Sequence, residues 1–157
     1  MRKRIINQDI QDVSPTNQQW LNMESLAQVE ATSEDAAHPI ESALIPSAGA
    51  GWRAGVPGQQ TVRLLFDEPQ MVRHIRVRFQ EDEQERTQEF VLRWSSDGGQ
   101  SYREIVRQQY NFSPPGSTSE REDYDFELDH MTALELTIVP DITGAPVCAS
   151  LTQLRLG

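Results

Sequence analysis

The chain has 157 residues, of which 24 are acidic and 14 basic, and a net charge of −10. That length suits one domain with one core, and an acidic surface repels phosphate backbones and anionic lipid, so neither nucleic acid nor a membrane is an expected partner. A single cysteine, Cys148, allows no internal disulfide, which fits a reducing compartment.

Residues 1–19 read as a polar N-terminal arm, expected to be flexible, in which Ser14-Pro15 suits the start of a short helix toward Trp20 and Leu21. The opening Met1-Arg2-Lys3-Arg4 is basic. Asn7, Gln8 and Asp9 then interrupt the apolar core that a signal peptide needs, and no stretch reaches the ~20 apolar residues of a membrane span. The expected location is cytoplasmic, and 20–157 read as one domain.

From about residue 26 the apolar residues recur with period two, as in half-buried strands. Eight runs follow, at 26–32, 61–66, 72–79, 88–95, 102–112, 123–128, 133–139 and 149–156. Val62, Leu64 and Phe66 share one face; so do Ile75, Val77 and Phe79, with His74, Arg76 and Arg78 opposite. Phe90, Leu92 and Trp94 alternate with Arg93, and Tyr124, Phe126 and Leu128 with acids. Either Ile105 or Val106 enters the core from the fifth run, and the step from Leu151 to Leu154 implies a bulge in the last. β-rich runs without a strong helical stretch predict a sandwich or barrel.

Connection lengths divide the loops. Short ones at 67–71, 96–101 and 129–132 fall at one end with the termini, whereas longer ones at 33–60, 80–87, 113–122 and 140–148 fall at the other. Long loops gathered on a rigid scaffold mark the expected binding end.

The run from Trp52-Arg53 through Val56-Pro57-Gly58 to Val62 and Leu64 resembles the tryptophan-to-sheet entry of discoidin domains, the coagulation factor five/eight type C family. Trp94-Ser95-Ser96-Asp97-Gly98-Gly99 resembles their strand ending in a Ser-x-Asp-Gly turn, and 149–157 their closing strand. The resemblance covers roughly residues 26–157. It implies an eight-stranded antiparallel jelly-roll β-sandwich, galactose-binding-like, whose members bind carbohydrates, lipids, proteins or nucleic-acid ends through loops at one end. Several members carry a structural calcium in the first long loop. Here that loop offers Glu34, Asp35 and Glu41 without a tight Asp cluster, so no cofactor or metal is expected. The loops also lack the apolar spikes of the membrane-binding members.

Each candidate residue has two readings. Trp52 and Arg53 either stack on a sugar and bond its hydroxyls or, as the resemblance favours for Trp52, plug the end of the sandwich. Arg86, alone among acids at 81–89, either grips a ligand together with Gln88 or holds its own loop in an ion pair. Gln108, Tyr110 and Asn111 either form a polar platform with an aromatic floor or leave Tyr110 in the core beside Phe112. The outward arginines Arg63, Arg76, Arg78 and Arg93 either dock an acidic partner or pair across strands with glutamates such as Glu104 and Glu135. His38, His74 and His130 have no metal-ligand spacing to one another or to Cys148. No phosphate loop or nucleophile elbow occurs, and nothing selects a catalytic group.

The expected function is noncatalytic binding of a carbohydrate at the loop end. The alternative is a protein-interaction module within an intracellular assembly, which a large apolar patch on a sheet face or edge would favour. An enzyme would need a deep pocket with perturbed carboxylates or histidines.

Overall fold

The computed structural model describes residues 20–46 and 49–157; the expected arm at 1–19 lies outside them. The chain forms α1 (Met23–Leu26), β1 (Ala27–Ala31), α2 (Glu41–Leu44), β2 (Trp52–Arg53), β3 (Gln60–Gln80), β4 (Arg86–Ser95), β5 (Arg103–Phe112), β6 (Ser119–Val139), β7 (Ser150–Leu151) and β8 (Gln153–Leu156). Both helices are single turns, α1 capped by the Asn22 side chain, which accepts from the Ser25 amide at 3.3 Å.

Two long strands are each shared between two layers. The first half of β3 and the second half of β6 pair in one layer, flanked by β1 on one side and by β4 and β5 on the other. The other halves pair with each other in a second layer, where β8 lies along β3. All these pairings are antiparallel. The predicted connections 67–71 and 129–132 are therefore corners inside β3 and β6. There the register shifts between Leu65, Gln70, Val72 and His74, and His130 turns with φ 63°. Exposed Asp67, Glu68 and Pro69 carry the chain around the β3 corner, as suits a bend between sheets. Four of the eight predicted runs thus merge into two strands.

The apolar alternation meets between the layers. Val62, Leu64, Ile75, Val77, Phe79, Phe90, Leu92, Leu134, Leu136, Ile138, Leu154 and Leu156 are all buried. The Phe79 and Phe90 rings, one from each layer, stand 5.2 Å apart. In β5 a bulge settles the register: Val106 faces Leu92 and Glu104 faces Arg93, which leaves Ile105 as the extra residue. The last run divides at Thr152, whose amide donates to Arg78 O at 2.9 Å. On the outer faces Arg63 and Arg93 both pair with Glu135, at 2.8 and 3.4 Å, and Arg76 pairs with Asp123 at 2.7 Å. These three members of the expected arginine stripe are engaged in cross-strand pairs.

The loops separate as their lengths imply. At one end Gly98 donates to Thr132 Oγ1 at 2.8 Å, joining two short connections. At the other, Gly58 donates to Val147 O (3.0 Å), Glu81 to Thr118 O (2.8 Å) and Ile142 to Thr87 O (2.9 Å), which gathers the four long connections.

Candidate functional site

The loop end rests on a buried polar framework. Arg86 opens β4 with its side chain turned inward, and it is only 4% exposed. Its Nε–H donates to Glu81 Oε1 at 2.6 Å, and Nη1 donates to Pro140 O at 2.7 Å and Gln88 Oε1 at 3.1 Å. The guanidinium lies 4.8 Å over the Phe112 ring. Burial raises the pKa of Glu81, but Arg86 and the amides of Glu83 and Gln84 outweigh it and hold the carboxyl below its usual range. Arg86 therefore ties the 80–87 loop to the 140–148 loop and to β5, and it is withdrawn from solvent. Gln88, fully buried beside it, is likewise part of the interior.

Trp52 is 1% exposed, and its indole N–H donates to Ser33 O at 3.0 Å. It closes the end of the sandwich where β2 pairs with β7. The preceding Gly51 has φ 118°, and a Cβ there would lie 2.7 Å from Leu151 O, so only glycine lets the two segments approach. Tyr110 is half-buried and packs edge-on against Phe112 at 4.9 Å. Gln108, two residues earlier in β5, is half-buried opposite Phe90. Of the expected platform, Gln108 and Tyr110 are half-buried and Asn111 is exposed. Trp52, Arg86 and Gln88 are buried and hydrogen-bonded within the scaffold.

Two clefts open among the long loops. Arg53, exposed on β2, lines a cleft of about 270 Å³ with Gln80, Glu81, Asp82, Gln84 and Ser150. Asn111, exposed at the end of β5, lines one of about 510 Å³ with Thr87, Ser113, Asp141 and Thr143. Arg86 and Phe112 form part of its wall. The Thr87 hydroxyl and the Asn111 side-chain oxygen are hydrogen-bonded partners across β4 and β5. Asp141 accepts from Thr143 Oγ1 at 2.8 Å and from Thr143 N at 3.1 Å. Those bonds hold its carboxyl below the usual range. Ile142, 46% exposed, stands between them.

Of the seven residues selected from sequence, Arg86 and Asn111 share this larger cleft, and Arg53 lines the neighbouring one. Thr87, Ser113, Asp141 and Thr143 were not selected. The one signal for the last two was an Asp-x-Thr step in a long loop, which forms a side-chain-to-backbone turn.

Glu34 Oε1 accepts from Ile40 N at 2.9 Å, and Asp35 Oδ2 meets His38 Nδ1 at 2.7 Å. Among the described residues no group of three His, Cys, Asp or Glu side chains is placed to hold a metal.

No family model matches the sequence, and no curated protein matches it. Solved structures do match in shape. A pectin-binding carbohydrate-binding module aligns with TM-score 0.62 and 16% identity over 84% of this chain and 90% of that one. The family 32 module of C. perfringens NanJ, in complex with galactose, aligns with TM-score 0.58 and 14% identity over 83% and 92%. A chitosan-binding module from a Paenibacillus sp. IK-5 chitosanase/glucanase aligns with TM-score 0.59 and 15% identity over 87% and 98%. This chain thus has the antiparallel β-sandwich fold of these modules, the fold that the discoidin resemblance implies.

Proposed function

We propose that the protein is a noncatalytic carbohydrate-binding module whose site is the cleft lined by Thr87, Asn111, Ser113, Asp141 and Thr143. The observation that carries this reading is the convergence of three long loops on an open cleft with two carboxylates, one amide and three hydroxyls. Such groups both donate to and accept from sugar hydroxyls. Modules of the same fold that bind pectin, galactose and chitosan support the ligand class. The acids Glu81, Asp82, Glu83, Glu85 and Asp141 around the loop end favour neutral or amino sugars over uronates.

Calorimetric titration with galactose, chitosan oligosaccharides and polygalacturonate tests the proposal. Saturable binding of a neutral or amino sugar, weakened in Asn111→Ala and Thr143→Val, is the expected result. Binding of no sugar, or binding that both variants retain, would overturn the assignment.

A further inference from the structure

A second site stands apart from the sugar cleft. β8 alternates: Leu154 and Leu156 enter the core, and Arg155 points to the other face, where α2 covers it. The side chain is 6% exposed. Its Nη1 donates to Ala43 O at 2.7 Å and to Leu154 O at 3.0 Å. Among the described residues no carboxylate pairs with it and its other N–H groups have no hydrogen-bond partner. The charged group next to it is Arg76, its register partner on β3, which is already matched to Asp123. Burial, reinforced by Arg76, pulls the Arg155 pKa below its ordinary value. A guanidinium stays protonated nonetheless. It has thus lost most of its hydration without gaining an opposite charge, an arrangement that calls for an anion.

The surroundings have room for one. Arg155 lines a cleft of about 390 Å³ whose other walls include Trp20, Leu21, Met23, Leu44 and Ile45. Trp20 is fixed in place, its ring 5.2 Å from His74 and 5.1 Å beneath the Arg76 guanidinium. One acid, Glu24, sits on the exposed rim. Because Nη1 is committed to the two carbonyls, the donors left over are Nε–H and the Nη2 pair. They form the side-on fork that meets both oxygens of a carboxylate.

We propose that this cleft binds a small organic carboxylate, its two oxygens on the Nε and Nη2 groups of Arg155 and its apolar body against Trp20, Leu44 and Ile45. The site is separate from the sugar cleft, with which it shares no lining residue.

Benzoate, with benzamide as its neutral isostere, tests the proposal on the full chain. Nitrogen-edited NMR follows the Trp20 indole N–H, assigned with Trp20→Phe, and the Arg155 Nε–H. Benzoate is expected to shift both signals saturably and raise the melting temperature, and benzamide to bind at least about tenfold more weakly, the factor expected from losing a charge-assisted pair. Arg155→Lys keeps the charge but lacks the fork, and it is expected to weaken benzoate by a similar factor. Equal effects of benzoate and benzamide, unmoved Trp20 and Arg155 signals, or undiminished binding in a folded Arg155→Lys variant would each overturn the proposal. Should that variant not fold, the comparison on the unaltered protein decides.

Discussion

Glu120 Oε1 lies 3.5 Å from the side-chain amide of Gln88, inside the sandwich, and the other carboxyl oxygen, Oε2, has no hydrogen-bond partner among the described residues. Glu120 is 2% exposed. Burial, followed by the neighbouring Glu122 carboxyl, pushes its pKa from 4.5 up to about 8, against smaller opposing effects of Gln88 and Arg86. Between those two values the folded protein holds a proton that the unfolded chain has released. Stability therefore falls as pH rises through that window, by a few kcal/mol at most. Urea midpoints measured near its two ends should show the fall, and Glu120→Gln should flatten it.

Arg86 gives a second prediction. Replacing it with leucine leaves Glu81 without its cation and Gln88 Oε1 and Pro140 O without their donor. Breaking one partner out of a buried pair typically costs about 3–5 kcal/mol. A denaturant midpoint lowered to that degree is expected. An unchanged midpoint would mean that the pair does not hold the loops.

Trp52 and Asn111 should separate stability from binding. Trp52→Phe orphans Ser33 O and opens space at the end of the sandwich, a loss of about 1–3 kcal/mol. The folded fraction should still bind sugar normally. Asn111→Ala, at an exposed position, should stay within about 0.5 kcal/mol in stability. Its sugar affinity should drop up to about tenfold, the worth of one neutral hydrogen bond. Chemical denaturation and calorimetry on the two variants give both readings.

The charge of the loop end should appear in a salt series. Amino-sugar oligomers should bind more weakly as ionic strength rises, and any residual affinity for polygalacturonate should strengthen, because screening removes attraction in one case and repulsion in the other.

Chelation provides a further check on the first long loop. Two of its three carboxylates, Glu34 and Asp35, are already engaged by Ile40 N and His38. The melting temperature is expected to be the same with calcium and with EDTA. A rise in calcium would show that backbone carbonyls assemble a site the acids do not.

Much of this fold was legible because alternation is local. A strand buried on one face must repeat every second residue, so Val62, Leu64 and Phe66 or Ile75, Val77 and Phe79 declare their facing without knowledge of any partner. The turn after Trp94 was legible for the same reason. Asp97 accepts from Ser95 Oγ at 2.6 Å and from Ser101 N at 2.9 Å, and Gly98 and Gly99 take the positive φ angles, 76° and 90°, that the turn requires. Loop lengths, also a property of the chain alone, located the end where the long connections meet.

Composition and periodicity left the interior polar groups undecided. Arg86, Gln88, Glu120 and Arg155 are all buried, yet each occupies a sequence context that reads as a solvated charge run or an alternating polar face. Their burial depends on partners far along the chain: Pro140 for Arg86, Gln88 for Glu120, Ala43 for Arg155. The corners of β3 and β6 were read as connections for a similar reason, since a strand that passes between layers looks locally like two strands and a turn. Asn111 meets Asp141 and Thr143 only after β4, β5 and the last long loop have packed. By itself the sequence determined which apolar residues face inward along most of the strands and which end carries the long loops. Only the tertiary structure decided which polar side chains brace that end and which face a ligand, because a hydrogen bond or ion pair between distant segments leaves no period in the chain.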